Sequence, residues 1–138
     1  MKAGVGRRHR GRELALKVLF ELEGTDRDAA AALDYQIADA EAPDDVAAFA
    51  RQLVYGTLTH LDEVDEAIAS SSANWRLAEI GKVERAVLRL GAYELIVERH
   101  TPVGVAIDEA IELARTFAGD EAARFVNGVL GRVAEEPA

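Results

Sequence analysis

The chain has 138 residues, no cysteine and a formal net charge of −9, with 49 % apolar and 30 % charged side chains. Those totals exclude disulfide frameworks and thiolate metal sites, and they describe one globular domain over 1–138 rather than a disordered chain. No apolar run approaches the ~20 residues of a membrane helix, and the basic start lacks the apolar stretch of a secretory signal; a soluble cytoplasmic protein without a membrane partner is expected.

The charge is unevenly placed. Residues 1–12 hold Lys2, Arg7, Arg8, Arg10 and Arg12 and no acid, a local +5. The other 126 residues hold 11 basic and 25 acidic side chains, a local −14. Bulk acidity argues against a wide phosphate-binding surface, and the N-terminal block is the compact exception. Residues 1–9 read as a flexible basic segment whose arginines run into the first turn of a helix, which holds Arg10 and Arg12 in place.

In chain order every segment reads as helix. Leu14, Ala15, Val18, Leu19 and Leu22 form an apolar stripe at helical spacing, stopped by Gly24. A second helix follows in "RDAAAALDYQIADA", with Asp26 as its cap. After Pro43, Asp44 caps a third whose apolar face runs from Val46 to Ile68 without a break. "SSSAN" at 70–74 is a polar interruption, and a short piece from Trp75 leads into "GKVERAVLRLGAYELIVER". That helix is apolar nearly all round, which predicts a central position. Thr101 and Pro102 fit the cap and first position of the next helix, Gly119 its stop, and Asp120 the cap of the last. The prediction is an all-α bundle of six to seven helices.

No catalytic constellation stands out. "GVGRRHRG" lacks the preceding strand and the third glycine of a dinucleotide fingerprint, and Gly81-Lys82 lacks the rest of a phosphate loop. His9, His60 and His100 lie on separate elements, and Asp108, Glu109 and Glu112 lie on the polar side of an amphipathic helix. Neither an enzyme nor a cofactor or metal site is expected. Arg124 beside Phe125, in "ARFVNGVL", pairs a charge for phosphate with a flat face for an unstacked base. Phe125 with Val129 also reads as an ordinary core stripe, so spacing leaves both roles open.

Three stretches, "GRELALKVLFELE", "GKVERAVLRLGAYEL" and "VAIDEAIELARTFAGDEAARFVNGVLGRV", together resemble the NusB family of transcription antitermination factors, with "FVNGVL" the most specific piece. The resemblance spans nearly the whole chain. It implies two small helical subdomains, over about 10–72 and 73–135, no catalysis, and joint binding with the ribosomal protein NusE of boxA-type single-stranded RNA in nascent ribosomal RNA, within the RNA polymerase antitermination complex. It implies RNA contacts at Arg7, Arg8, Arg10, Arg12, Arg124 and Phe125, and a NusE contact at Glu84. It also leaves room for a homodimer that covers the arginine block. His9 and Gly11 interrupt that block, which implies weak RNA binding without NusE. Neutralising about four phosphates gives a salt slope of roughly −3, a loss of about fifty-fold between ~50 and ~200 mM salt. Two alternatives use the same fold: the NusB-like domain of an RNA cytosine methyltransferase, and a helical protein-interaction module without RNA binding.

Overall fold

In a computed structural model of the chain, residues 3–73 and 75–135 are described, and all regular structure among them is helical. Lys2 of the basic block and Asn74 of the polar interruption lie outside the described residues. Contacts divide the chain into two compact units, Met1–Tyr55 and Gly56–Ala138. The division falls within the third helix rather than at the interruption over 70–74.

The first unit holds α1 (Ala3–Leu22), α2 (Ala29–Asp39) and the start of α3 (Asp44–Thr59). Helix α1 begins well before residue 10, so the expected flexible segment is helical from Ala3 onward and Arg7 and Arg8 share the rigid backbone of Arg10 and Arg12. Gly24 stops the chain as expected, at a φ of +69° that suits a residue without Cβ. The cap of α2 is Asp28, not Asp26, and its Oδ1 accepts from the Ala30 N–H at 3.3 Å. Thr25 Oγ1 accepts the Arg27 N–H and prolongs the preceding turn, which delays the helix start. Asp44 lies inside α3, and it is Asp45 whose carboxylate accepts the Val46 N–H. Leu14, Val46 and Ala50 make a buried cluster between α1 and α3.

The second unit holds the end of α3, α4 (Leu61–Ser71), a 3₁₀ turn (Leu77–Glu79), α5 (Lys82–Ala92), a π-helical turn (Tyr93–Glu98), α6 (Val103–Ala118) and α7 (Asp120–Glu135). The stripe from Val46 to Ile68 is thus two helices. His60 leaves helical geometry at φ −108° and ψ 26°, yet its N–H still donates to Gly56 and its carbonyl accepts from Val64. Because both backbone hydrogen bonds of His60 survive the bend, the apolar spacing passes through it unmarked.

Helix α5 packs against α4, α6 and α7, the central position that its all-round apolar surface predicts. Gly91 makes room for this: a Cβ there would stand 2.7 Å from Leu130 Cδ1. The π turn buries Glu94, and Thr101 Oγ1 donates to that carboxylate at 3.2 Å. Thr101 therefore does not cap α6, whose N-cap is Pro102. Gly119 ends α6 at a φ of +100°. Asp120 opens α7 and accepts from Arg115 Nε at 3.1 Å.

Burial lifts the Tyr93 phenol above its ordinary range, helped by the negative charges of Glu98 and Glu94. Folding therefore favours the neutral phenol, a contribution complete below pH ~10 and lost as pH climbs through the folded value. In an alkaline absorbance titration, Tyr93 is expected to ionise above the ordinary range of a tyrosine phenol, and Tyr93→Phe should remove that late step.

Candidate nucleic-acid interface

Helical spacing puts Arg8 and Arg12 one turn apart on α1, and both guanidinium groups meet the Phe49 ring of α3. Their Cζ atoms stand 4.5 and 5.3 Å from its centroid. Gly11 permits that approach, since a Cβ there would lie 2.6 Å from Phe49 Cδ2. The glycine that interrupts the charge run is therefore what lets the run dock on an aromatic ring.

The four arginines do not end up equivalent. Arg12 is 3 % exposed, its guanidinium held against Phe49 rather than on the open surface with the other three. Stacking on Phe49 withdraws its charge from water, where a phosphate would have to meet it. Arg7, Arg8 and Arg10 are exposed. Arg7 Nη1 donates to Asp45 Oδ1 at 2.7 Å, with both side chains about half exposed. Such a pair is worth ~0–1 kcal/mol, enough to orient Arg7 and little enough to yield to a phosphate. Arg10 extends toward the carbonyl of Ala40 at 3.5 Å, a long contact that leaves its charge free for a partner. Arg7, Arg8, Asp45, Phe49 and Gln52 line a groove of about 390 Å³.

In the second unit, Phe125 and Glu84 line one cleft of about 430 Å³ together with Trp75, Glu79, Ile80 and Glu121. Phe125 is half-buried and Arg124 is exposed, one position earlier on α7. Arg85 holds one wall by donating to the carbonyls of Leu77 and Ile80 at 3.1 and 2.7 Å, which pins the 3₁₀ turn. A Cβ at Gly81 would stand 2.5 Å from Glu84 Oε1, so the glycine leaves room for that carboxylate.

Reading along the chain missed Phe49, Asp45 and Trp75. Phe49 fits the core stripe of α3, and nothing local ties it to arginines some 40 positions earlier. Trp75 stands next to a polar break and marks only the start of a helical piece. Its rarity in this chain was the one available signal.

The NusB family model matches residues 9–135. A transcription antitermination protein NusB of Bacillus subtilis is 42 % identical over 127 residues, covering 92 % of this chain and 94 % of that one. One from Myxococcus xanthus is 42 % identical over 134 residues, covering 94 % and 96 %. Among solved structures, NusB of T. maritima superposes with a TM-score of 0.87 at 36 % identity, covering 95 % of this chain and 92 % of that one. A structure of the antitermination factors NusB and NusE in complex with double-stranded RNA contains a chain that superposes with a TM-score of 0.88 at 26 % identity, covering 98 % of each.

Proposed function

The chain belongs to the NusB family of transcription antitermination proteins, and from that premise we propose that it is a non-enzymatic adaptor holding boxA-type single-stranded RNA of nascent ribosomal RNA jointly with NusE. It works in the cytoplasm, within the antitermination complex of RNA polymerase. The observation that carries this reading is the set of three exposed arginines, Arg7, Arg8 and Arg10, on one rigid helix. Set in a twelve-residue block of +5 on a sequence that is otherwise −14, they concentrate phosphate attraction at one place. The acidic remainder repels RNA elsewhere and attracts a basic ribosomal protein.

The roles divide by chemistry. Arg7, Arg8, Arg10 and Arg124 meet phosphates, Phe125 meets a base, and Glu84 meets NusE. Arg12 acts from beneath, by holding Phe49 and through it the geometry of Arg8. Three or four phosphate contacts are too few to hold RNA firmly alone, so a second protein on the same strand supplies a multivalent gain.

Fluorescence anisotropy of a labelled boxA-like RNA tests this, with and without purified NusE, at ~50 and ~200 mM salt. Binding that falls with salt by some tens-fold and strengthens with NusE is expected. Absence of binding in all four conditions refutes the adaptor reading and favours a protein-only interaction module. Sedimentation of the RNA-free chain reports in parallel whether a second copy covers the arginines.

A further inference from the structure

Of the three exposed arginines on α1, Arg7 alone holds a carboxylate among the described residues. Its Nη1 donates to Asp45 Oδ1 at 2.7 Å, across the groove between α1 and α3. Arg8 lies over the Phe49 ring and Arg10 reaches toward the Ala40 carbonyl, and neither contact carries a negative charge. Asp45 is also the single acid lining that groove, whose other polar side chains are Arg7, Arg8 and Gln52.

The carboxylate does not swing freely. The same Oδ1 accepts the backbone N–H of Val46 at 2.9 Å, which ties it to the start of α3. An oxygen held 2.7 Å from a guanidinium nitrogen has the place and the distance of a phosphate oxygen bound to that arginine. A phosphate of an incoming strand therefore competes with it. Using that nitrogen displaces the carboxylate, and using the other donors leaves two anions on one guanidinium. Either way Asp45 stays tied to its turn, close enough to repel the phosphate. The side chains of the pair are 49 % and 61 % exposed, so water screens it. The competition thus costs a small factor in affinity and does not close the site.

We infer that Asp45 is a built-in competitor of RNA phosphate for Arg7: it lowers the affinity of the arginine block for a single strand and gives way when one binds. This rests on the RNA-binding reading above and adds to it a residue of α3 that works against binding. A block weakened in this way suits a protein that holds RNA only together with a second protein, where the combined contacts make up the difference.

The test compares the unaltered full chain with Asp45→Asn, Arg7→Ala and the double variant, and uses Asp44→Asn as a control. Asp44 shares the first turn of α3 and is exposed like Asp45. Asparagine keeps an oxygen for the Val46 N–H, and all three positions are exposed, so the substitutions leave the core untouched. Anisotropy of a labelled boxA-like RNA is read at ~50 and ~200 mM salt. Asp45→Asn should tighten binding roughly two- to fivefold at the lower salt, and by more than Asp44→Asn does. Part of that gain should disappear at the higher salt, which screens the pair being removed. The salt slope should steepen accordingly, by less than the ~0.7 of one whole phosphate contact. In the Arg7→Ala background the same substitution should gain no more than Asp44→Asn does. Unchanged binding with Asp45→Asn, or an equal gain from Asp44→Asn, overturns the inference. So does a gain that persists undiminished without Arg7, which makes the effect one of general charge. Weaker binding with Asp45→Asn also overturns it, by making Asp45 a support that positions Arg7 for RNA. In each of those cases RNA binding itself stands. No binding of RNA by any of the chains, at either salt and with NusE added, removes the broader reading and this one with it.

Discussion

Replacing Arg7, Arg8 and Arg10 together by alanine should lower RNA affinity roughly 100-fold at ~0.1 M salt and reduce the magnitude of the salt slope by about 2, while thermal and urea melts stay within ~0.5 kcal/mol of the unaltered chain. Three exposed arginines each release counterions when they meet a phosphate, and none of them buries much on folding. Arg12→Ala should do nearly the reverse. Its side chain is buried against Phe49, so truncation removes packing, a cation–π contact and the partners of a buried guanidinium, at a cost of about 1–3 kcal/mol of stability. Its salt slope should stay close to that of the parent. Urea melts and anisotropy on the same two variants separate the roles. An Arg12→Ala chain that melts normally but loses a slope of ~0.7 would return Arg12 to the phosphate contacts.

Gly56→Ala should destabilise the chain by about 2–3 kcal/mol, against what helix propensity alone argues. Glycine in a helix interior is normally worse than alanine by ~0.5–1 kcal/mol, so an unhindered replacement gains stability. Gly131, inside α7 with nothing within 4 Å of a built Cβ, is the control in which that gain should appear. At Gly56 the added methyl falls inside the Tyr93 phenol. That ring is buried and has the His60 ring 6.4 Å away, so either α3 or the ring must shift, an overpacking cost. Tyr93→Ala alone loses core contacts, and the double variant should be less harmed than the sum of the two singles. A coupling of 1 kcal/mol or more in urea melts is expected, and simple additivity would show that the two residues do not share this space.

How much was legible in the residues follows from the range of the forces involved. The helices, their apolar faces and the central place of α5 were readable because side chains three and four positions apart share a face. Gly24 and Gly119 were readable as stops because a positive φ is a local demand that glycine meets cheaply. The charge contrast between the first twelve residues and the rest needed no structure at all, and neither did the family.

Contacts between residues far apart decided the rest. Thr101 looked like a helix cap until a buried carboxylate seven positions earlier took its hydroxyl. The break at His60 left no trace in the apolar spacing because its backbone hydrogen bonds survive. Four arginines that look alike in sequence become three exposed charges and one buried support, since Phe49 lies 37 positions beyond Arg12. Trp75 and Phe125, 50 positions apart, become the two walls of one cleft. Local spacing and composition thus determined which elements form and where charge concentrates. Which arginine meets water and which aromatics share a cleft depended on tertiary packing, because burial is set by neighbours that the chain brings back from a distance.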